Sequence, residues 1–177
     1  MSIHTERLIL REIQESDWKQ IHSYFSNPDV MRYMEHGAST EAETMNYIKR
    51  VIEWQKDEPR IHIVLGVVLK NYGNIIGGCD LHMPNLRHRQ GELVYRLNPQ
   101  YWGCGYATEA SKAMIDMGFT QMGLHRIEAL CDVRNTASIK VLEKLGMQKE
   151  GCFREHKWIK ERWRNSVQYS ILEQEFK

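Results

Sequence analysis

Gln100-Tyr101-Trp102-Gly103-Cys104-Gly105-Tyr106-Ala107-Thr108-Glu109-Ala110 is the stretch that decides how this chain folds. Two glycines one residue apart sit in a polar turn, between a strand-like run, Gly91 to Leu97, and a helical run, Ala107 to Phe119. Glycine lets the backbone approach a ligand with no Cβ in the way. The first turn of a helix presents unpaired N–H groups and a partial positive charge. A glycine turn that opens a helix is therefore a cradle for a phosphate or pyrophosphate. A second block further on, Asn135-Thr136-Ala137-Ser138 through Lys144-Leu145-Gly146-Met147, sharpens that reading.

Working outward, apolar periodicity assigns the flanking elements. Arg7 to Arg11 alternates imperfectly and reads as a strand. Ser16 is expected to cap a short helix carrying Trp18, Ile21 and Phe25 on one face, and Asn27-Pro28-Asp29 to start another through Met34. Thr40-x-x-Glu43 is a capping box that opens a longer helix, with Met45, Ile48 and Ile52 along its inner side. Ile61 to Leu69 suits a strand buried on both faces, and Asn71-Tyr72-Gly73-Asn74 turns it back into a strand from Ile75 to Leu81. The loop Asn85 to Gln90 leads to Gly91–Leu97. Beyond the glycine turn, Arg126 to Asp132 is a strand, and Asn135 caps a helix that Gly146 ends. Strands over Met147–Ile159 and Val167–Leu172 finish the chain, joined by Lys160 to Asn165. This order predicts an α/β fold, one sheet covered by helices on both faces.

At 177 residues, 42% of them apolar, the chain is expected to form a single globular domain over 1–177. Lys+Arg is 24 against Asp+Glu 23, so no global field draws it to nucleic acid or membrane. The longest apolar run, Ile63 to Leu69, is too short to span a bilayer, and Met1 to Arg7 lacks the apolar core of a secretory signal. Four widely spaced cysteines, Cys79, Cys104, Cys131 and Cys152, imply reduced, mostly buried thiols and a cytoplasmic protein. The eight histidines include no i, i+4 pair with a nearby acid, so no metal is expected.

Gln100-x-x-Gly103-x-Gly105 resembles the acyl-CoA pyrophosphate motif of the GNAT acetyltransferases. The longer string Tyr101 to Ala110 is similar to the RimJ/RimL-like branch, which acetylates ribosomal-protein N-termini. So are Leu124-His125-Arg126-Ile127-Glu128-Ala129, the block from Asn135 to Met147, and the opening Thr5-Glu6-Arg7-Leu8-x-Leu10-Arg11. The resemblance runs along the whole chain. It implies the GNAT acyl-CoA N-acyltransferase fold: a mixed, largely antiparallel sheet with splayed central strands. It also implies acetyl-CoA as cosubstrate and a primary amine as acceptor. The acceptor is expected to be a protein N-terminus, with a small amine such as a polyamine, amino acid or drug as the alternative. A non-catalytic acyl-CoA-binding or ribosome-docking protein is a further alternative. Neither membrane nor direct nucleic-acid contact is expected, and a homodimer is compatible.

Backbone N–H groups of Trp102, Gly103, Cys104, Gly105, Tyr106, Ala107 and Thr108, with Gln100 opening the motif, are expected to hold the pyrophosphate. By the resemblance, the pantetheine arm lies between Gly91–Leu97 and Arg126–Asp132, and a main-chain N–H from Tyr95 to Leu97 faces the oxyanion. Asn135 reads as a helix cap, as a pantetheine ligand, or as both. Ser138 is the expected proton donor to the thiolate, against the simpler reading of a helix-start serine. Other GNAT branches place a tyrosine where Leu142 stands, and leucine has no proton to give. Glu92 is the general-base candidate, acting through a water, and an ion pair or exposed strand carboxylate is the equal alternative. Tyr33 and Trp54 are expected to wall the acceptor side. The cluster His156, Lys157, Trp158, Arg162, Trp163 and Arg164 suits a strand-end surface, an acceptor-site wall or a dimer contact, ahead of RNA contact through stacking and phosphate pairing.

Overall fold

The computed structural model describes residues 1–177 and places every strand in one eight-stranded sheet. In chain order the elements are β1 (Ser2–His4), β2 (Leu8–Glu12), α1 (Trp18–Phe25), α2 (Pro28–Met31), α3 (Glu41–Trp54), β3 (His62–Leu69) and β4 (Ile75–His82). Then come β5 (Gln90–Leu97), α4 (Tyr106–Thr120), β6 (Arg126–Asp132), α5 (Thr136–Lys144), β7 (Gln148–Ile159) and β8 (Arg162–Leu172). The strand order is β1-β2-β3-β4-β5-β6-β8-β7, and β5–β6 is the only parallel pair.

Alternation along the strands divides the core in two. Ile63, Leu65, Val67 and Ile76 point toward α4 and α5, where the larger cluster lies with Met114, Met117 and Leu142. Val64, Val68 and Ile75 point the other way, against Ile21, Phe25, Ile48 and Val51 of α1 and α3. The central strands are buried on both faces, which explains the unbroken apolar run in β3. Helices on both faces of one mixed sheet match the expected GNAT fold.

The parallel contact of β5 with β6 sets up the site. It lasts for three register pairs, Gln90↔Arg126, Gly91↔Ile127 and Glu92↔Glu128, and then the strands part. From there β5 stays with β4 to Gly77↔Leu97, and β6 stays with β8 to Asp132↔Ser166. Two strand edges therefore face each other across a gap in mid-sheet, with backbone N–H and C=O groups that need partners.

Several local expectations need correction. Ser16 does not cap α1: it lies inside a 3-10 turn, Glu15–Asp17, whose capping box pairs Gln14 with Asp17. The α2 helix ends at Met31 rather than Met34. In α3 the buried face is Thr44, Ile48 and Val51, whereas Met45 is exposed. β1 pairs only Ser2 to His4 with β2, too short a run to show an alternation. β8 begins at Arg162 instead of Val167, because Lys160 and Glu161 make a two-residue turn with φ of 50° and 58°. That left-handed pair is the usual role of Asn-Gly, so Lys-Glu gave no hairpin signal. All four cysteines are free thiols, but only Cys79 is fully buried, with Cys131 half-buried and Cys104 and Cys152 exposed.

Candidate active site

The gap between β5 and β6 opens into a cavity of about 670 Å³ that runs from the glycine turn, past α5, to the segment after α2. At its upper end Pro99–Tyr101 makes a single 3-10 turn, capped by the Asn98 side chain, which accepts from the Gln100 N–H. Trp102 anchors the turn by donating its indole N–H to the Leu97 carbonyl at 2.8 Å. Gly103 and Gly105 follow with φ of 75° and 82°, a conformation that costs a residue bearing a Cβ about 1–2 kcal/mol. None of the backbone N–H groups from Gly103 to Thr108 donates a hydrogen bond within the protein, whereas the Trp102 N–H, expected to join them, is taken up by the Pro99 carbonyl at 3.1 Å. They form a concentrated set of donors at the positive end of α4, which is what an anion requires.

Arg7, from the turn before β2, holds this loop in place. Its Nη1 donates to the Cys104 carbonyl at 3.0 Å, and its Nε to Glu109 Oε2 at 2.7 Å. Its guanidinium also lies over the Tyr106 ring, 4.5 Å from the centroid. Thr5 Oγ1 and the Arg7 N–H both donate to Glu109 Oε1. Burial pushes the Glu109 carboxyl up, but these hydrogen bonds outweigh it and hold the group below its usual value. Arg7 and Glu109 stand 102 residues apart, so their contact leaves no local signal in the sequence.

Along the gap, Tyr95, Leu97, Trp102, Gly103, Gly105, Tyr106, Ala107 and Thr108 all line the cavity, as do Asn135 and Ser138 on the far side. Gln100 and Cys104 are set back from it, Cys104 with an exposed side chain. Asn135 Oδ1 accepts from the Ser138 N–H at 3.1 Å, so the capping role is present and its amide nitrogen is left to donate into the cavity. Ser138 Oγ lies 2.8 Å from the Tyr95 hydroxyl. Cys131, at the edge of β6, also faces the cavity, and burial pushes its thiol up to about 11. Lys140 and Lys144, at the α5 side of the mouth, have no carboxylate partner.

The other end is walled by Tyr33, Met34 and the face of β5 that carries Val94 and Arg96. Arg96 is almost wholly buried. It pairs with Asp80 of β4, donates to the Tyr47 hydroxyl at 3.0 Å and lies over the Phe25 ring. Burial pushes the Asp80 carboxyl up against the pull of Arg96, and its Oδ1 is the one buried side-chain polar atom with no partner. This pair was also invisible to sequence reading, because Asp80 and Arg96 meet only through β4–β5 register. Trp54 is not at the cavity; it stacks on His62, centroids 4.2 Å apart. Of the basic aromatic cluster, Lys157 and Lys160 fasten the β7–β8 hairpin to Glu35 and to the Met31 carbonyl, while Trp158 and Trp163 are exposed.

Glu92 lies outside the cavity lining, in the last joined pair of β5 and β6, beside Glu128 and opposite His82. No group of three His, Cys, Asp or Glu side chains is arranged to hold a metal. No helix is long and apolar enough to cross a membrane.

The acetyltransferase (GNAT) domain model matches residues 7–148, from the arginine at the glycine loop to the start of β7. The chain belongs to the GNAT acetyltransferase family. This GNAT enzyme superposes on the crystal structure of a GNAT-family acetyltransferase from Bacillus anthracis with a TM-score of 0.89. The two are 35% identical over 99% of this chain and 100% of that one. A second crystal structure, a ribosomal-protein-S5-alanine acetyltransferase from Vibrio fischeri, is 26% identical over 100% and 99% of the two chains, with a TM-score of 0.83. Among curated proteins, a spermidine N(1)-acetyltransferase of Escherichia coli K12 is 27% identical over 94% of this chain and 87% of its own. N-acetyl transfer is thus common ground, and the acceptors of these relatives differ.

Proposed function

We propose that this GNAT enzyme transfers acetyl from acetyl-CoA to the N-terminal α-amine of a protein, a ribosomal protein being the first candidate. The charge of the cavity lining carries this reading. Its two lining carboxylates are spent: Asp29 pairs with Arg32 at 2.5 Å, and Asp132 pairs with Arg134 at 2.5 Å. A polyamine needs free carboxylates for its additional cations, whereas a peptide presents one amine followed by neutral backbone. The relative that acts on a ribosomal protein supports the same choice.

In the proposed mechanism the N–H groups from Gly103 to Thr108 hold the pyrophosphate, with Lys140 and Lys144 near its phosphates. The open edges of β5 and β6 and the Asn135 amide pair with the pantetheine arm as a strand would. The thioester carbonyl meets a main-chain N–H between Tyr95 and Leu97, which stabilises the oxyanion as the amine attacks. The carbon–sulfur bond then breaks, and Ser138 donates to the departing sulfur. An α-amine has a pKa near 8 and is partly neutral at pH 7, so a weak base suffices. Glu92 takes that role through water, since it sits two residues, about 6.6 Å, along β5 from the cavity residue Val94.

The observation that favours a second acceptor, a polyamine, is the Glu92 carboxylate, which has no ion-pair partner, beside Glu128, which pairs with Arg126 at 3.0 Å, together with the spermidine-acetylating relative. The two are separated by kcat/KM for acetyl transfer to Ala- and Ser-initiated peptides against spermidine, spermine and free amino acids. A peptide preference of tenfold or more supports the first reading; a spermidine preference replaces it with the second.

A further inference from the structure

One hydroxyl contact crosses the gap in the sheet. Tyr95 projects from β5 just beyond the point where β5 leaves β6, and its ring packs on the α4 side of the core. Its Oη is 2.8 Å from Ser138 Oγ, a pair in which either hydroxyl can donate, and 3.2 Å from the Ser138 carbonyl oxygen, which can only accept, on the first turn of α5. Tyr95, Ser138 and Leu142, one turn further along α5, all line the cavity, but the leucine side chain has no proton to give. The side chain that could supply a phenolic proton thus comes from β5, not from α5.

Resting on the acetyl-transfer reading above, we propose that Tyr95 is a positioning residue that aims the Ser138 hydroxyl at the leaving sulfur of acetyl-CoA. A serine oxygen carries one proton and two lone pairs. When Tyr95 donates its only proton to Ser138 Oγ, the shorter of its two contacts, rather than to the Ser138 carbonyl, the Ser138 proton must turn away from Tyr95, toward the cavity that Cys131 also lines. Burial pushes the Tyr95 phenol well above its ordinary value, despite the Ser138 hydrogen bond, so it stays protonated across the working pH range. Without Tyr95 the serine hydroxyl rotates freely and satisfies itself on other acceptors.

The step balances without any added reactant. The amine nitrogen bonds to the thioester carbonyl carbon, and the C–S bond breaks with its electron pair left on sulfur. Sulfur takes the Ser138 proton, Ser138 recovers one through Tyr95, and Tyr95 is reprotonated from water, which has received the proton shed by the acylated amine. The products are an N-acetyl amide and the CoA thiol.

The test is a double-mutant cycle on the full chain with Tyr95→Phe, Ser138→Ala and the pair together. For each protein kcat and the acetyl-CoA KM are measured on a peptide the wild type acetylates, and CoA affinity is titrated separately. Each single change is expected to lower kcat at least tenfold, within the range for a positioned proton donor, with KM and CoA affinity within twofold. The double variant is expected to be no slower than Ser138→Ala, because both changes remove the same hydrogen bond to sulfur. A Tyr95→Phe variant within twofold of wild-type kcat overturns the proposal, as does a double variant in which the two losses multiply. Either result leaves acetyl transfer itself intact. Wild-type protein that binds CoA but acetylates no amine overturns the underlying reading, and this proposal with it.

Discussion

Gly105 stands with φ of 82° at the junction of the turn and α4, where any Cβ would come 3.4 Å from an Arg7 nitrogen. That contact is ordinary, so a side chain there strains the backbone without displacing neighbours. Gly105→Glu is therefore expected to fold yet bind CoA at least a hundredfold more weakly by calorimetry, because its carboxylate crowds and repels the pyrophosphate. Gly105→Ala carries the strain without the charge and should lose less; equal losses would put the cause in backbone geometry alone. Glu92→Gln should slow turnover more at low pH, where free amine is scarce, than at high pH. An unaltered pH–rate profile would leave Glu92 a surface carboxylate. The glycines, Asn135 and Ser138 were legible because glycine and cap residues act through their own backbone. Arg96, Asp80 and the Tyr95 hydroxyl were not, because their partners are set by register between distant strands.

Among the elements, α3 is the plainest case of local chemistry fixing a boundary. Thr40 Oγ1 accepts from the Glu43 N–H at 3.3 Å, and Glu43 Oε2 accepts from the Thr40 N–H at 2.8 Å, the reciprocal cap its sequence announced. Thr40 also receives Thr44, whose hydroxyl meets both the Thr40 carbonyl and His22 of α1. Thr40→Ala should cost about 1 kcal/mol, seen as a fall of roughly 2–4 °C in melting temperature for a chain of this size. No change would show that packing of Ile48 and Val51 alone fixes the helix. The β7–β8 hairpin shows the opposite situation. Its turn residues carry no turn signature, and it is fastened by Lys160 reaching the end of α2 at Met31 and Lys157 reaching Glu35 beyond it, contacts that only the folded chain creates.

At the scale of the whole molecule, the alternation of strand and helix was readable, but the parting of β5 and β6 was implied only by family resemblance. Nothing in Gly91–Leu97 or Arg126–Asp132 taken alone states that their pairing stops after three residues. Ion pairs then tie remote segments to this sheet. Burial pushes Glu12, Glu109 and Asp132 up, but hydrogen-bonded partners, chiefly arginines, outweigh it; Arg126 and Ser170 lower Glu150 directly. A folded-state value below the unfolded one stabilises above the unfolded pKa, and that contribution is lost as pH falls through the folded value. Stability measured by urea unfolding should therefore hold from pH 7 to about 5 and fall below the unfolded carboxylate values near 4.5 and 3.8. A flat profile down to pH 3 would show these pairs to be energetically idle. The proposed reaction is acetyl transfer from CoA to a protein α-amine in the gap between β5 and β6. Its most direct test is mass spectrometry of salt-washed ribosomes and a panel of small amines after incubation with the enzyme and acetyl-CoA. A single added acetyl group, mapped to the N-terminus of one ribosomal protein, is the predicted result. Acetylation confined to a small amine, or no acetylated product despite CoA binding, would contradict it.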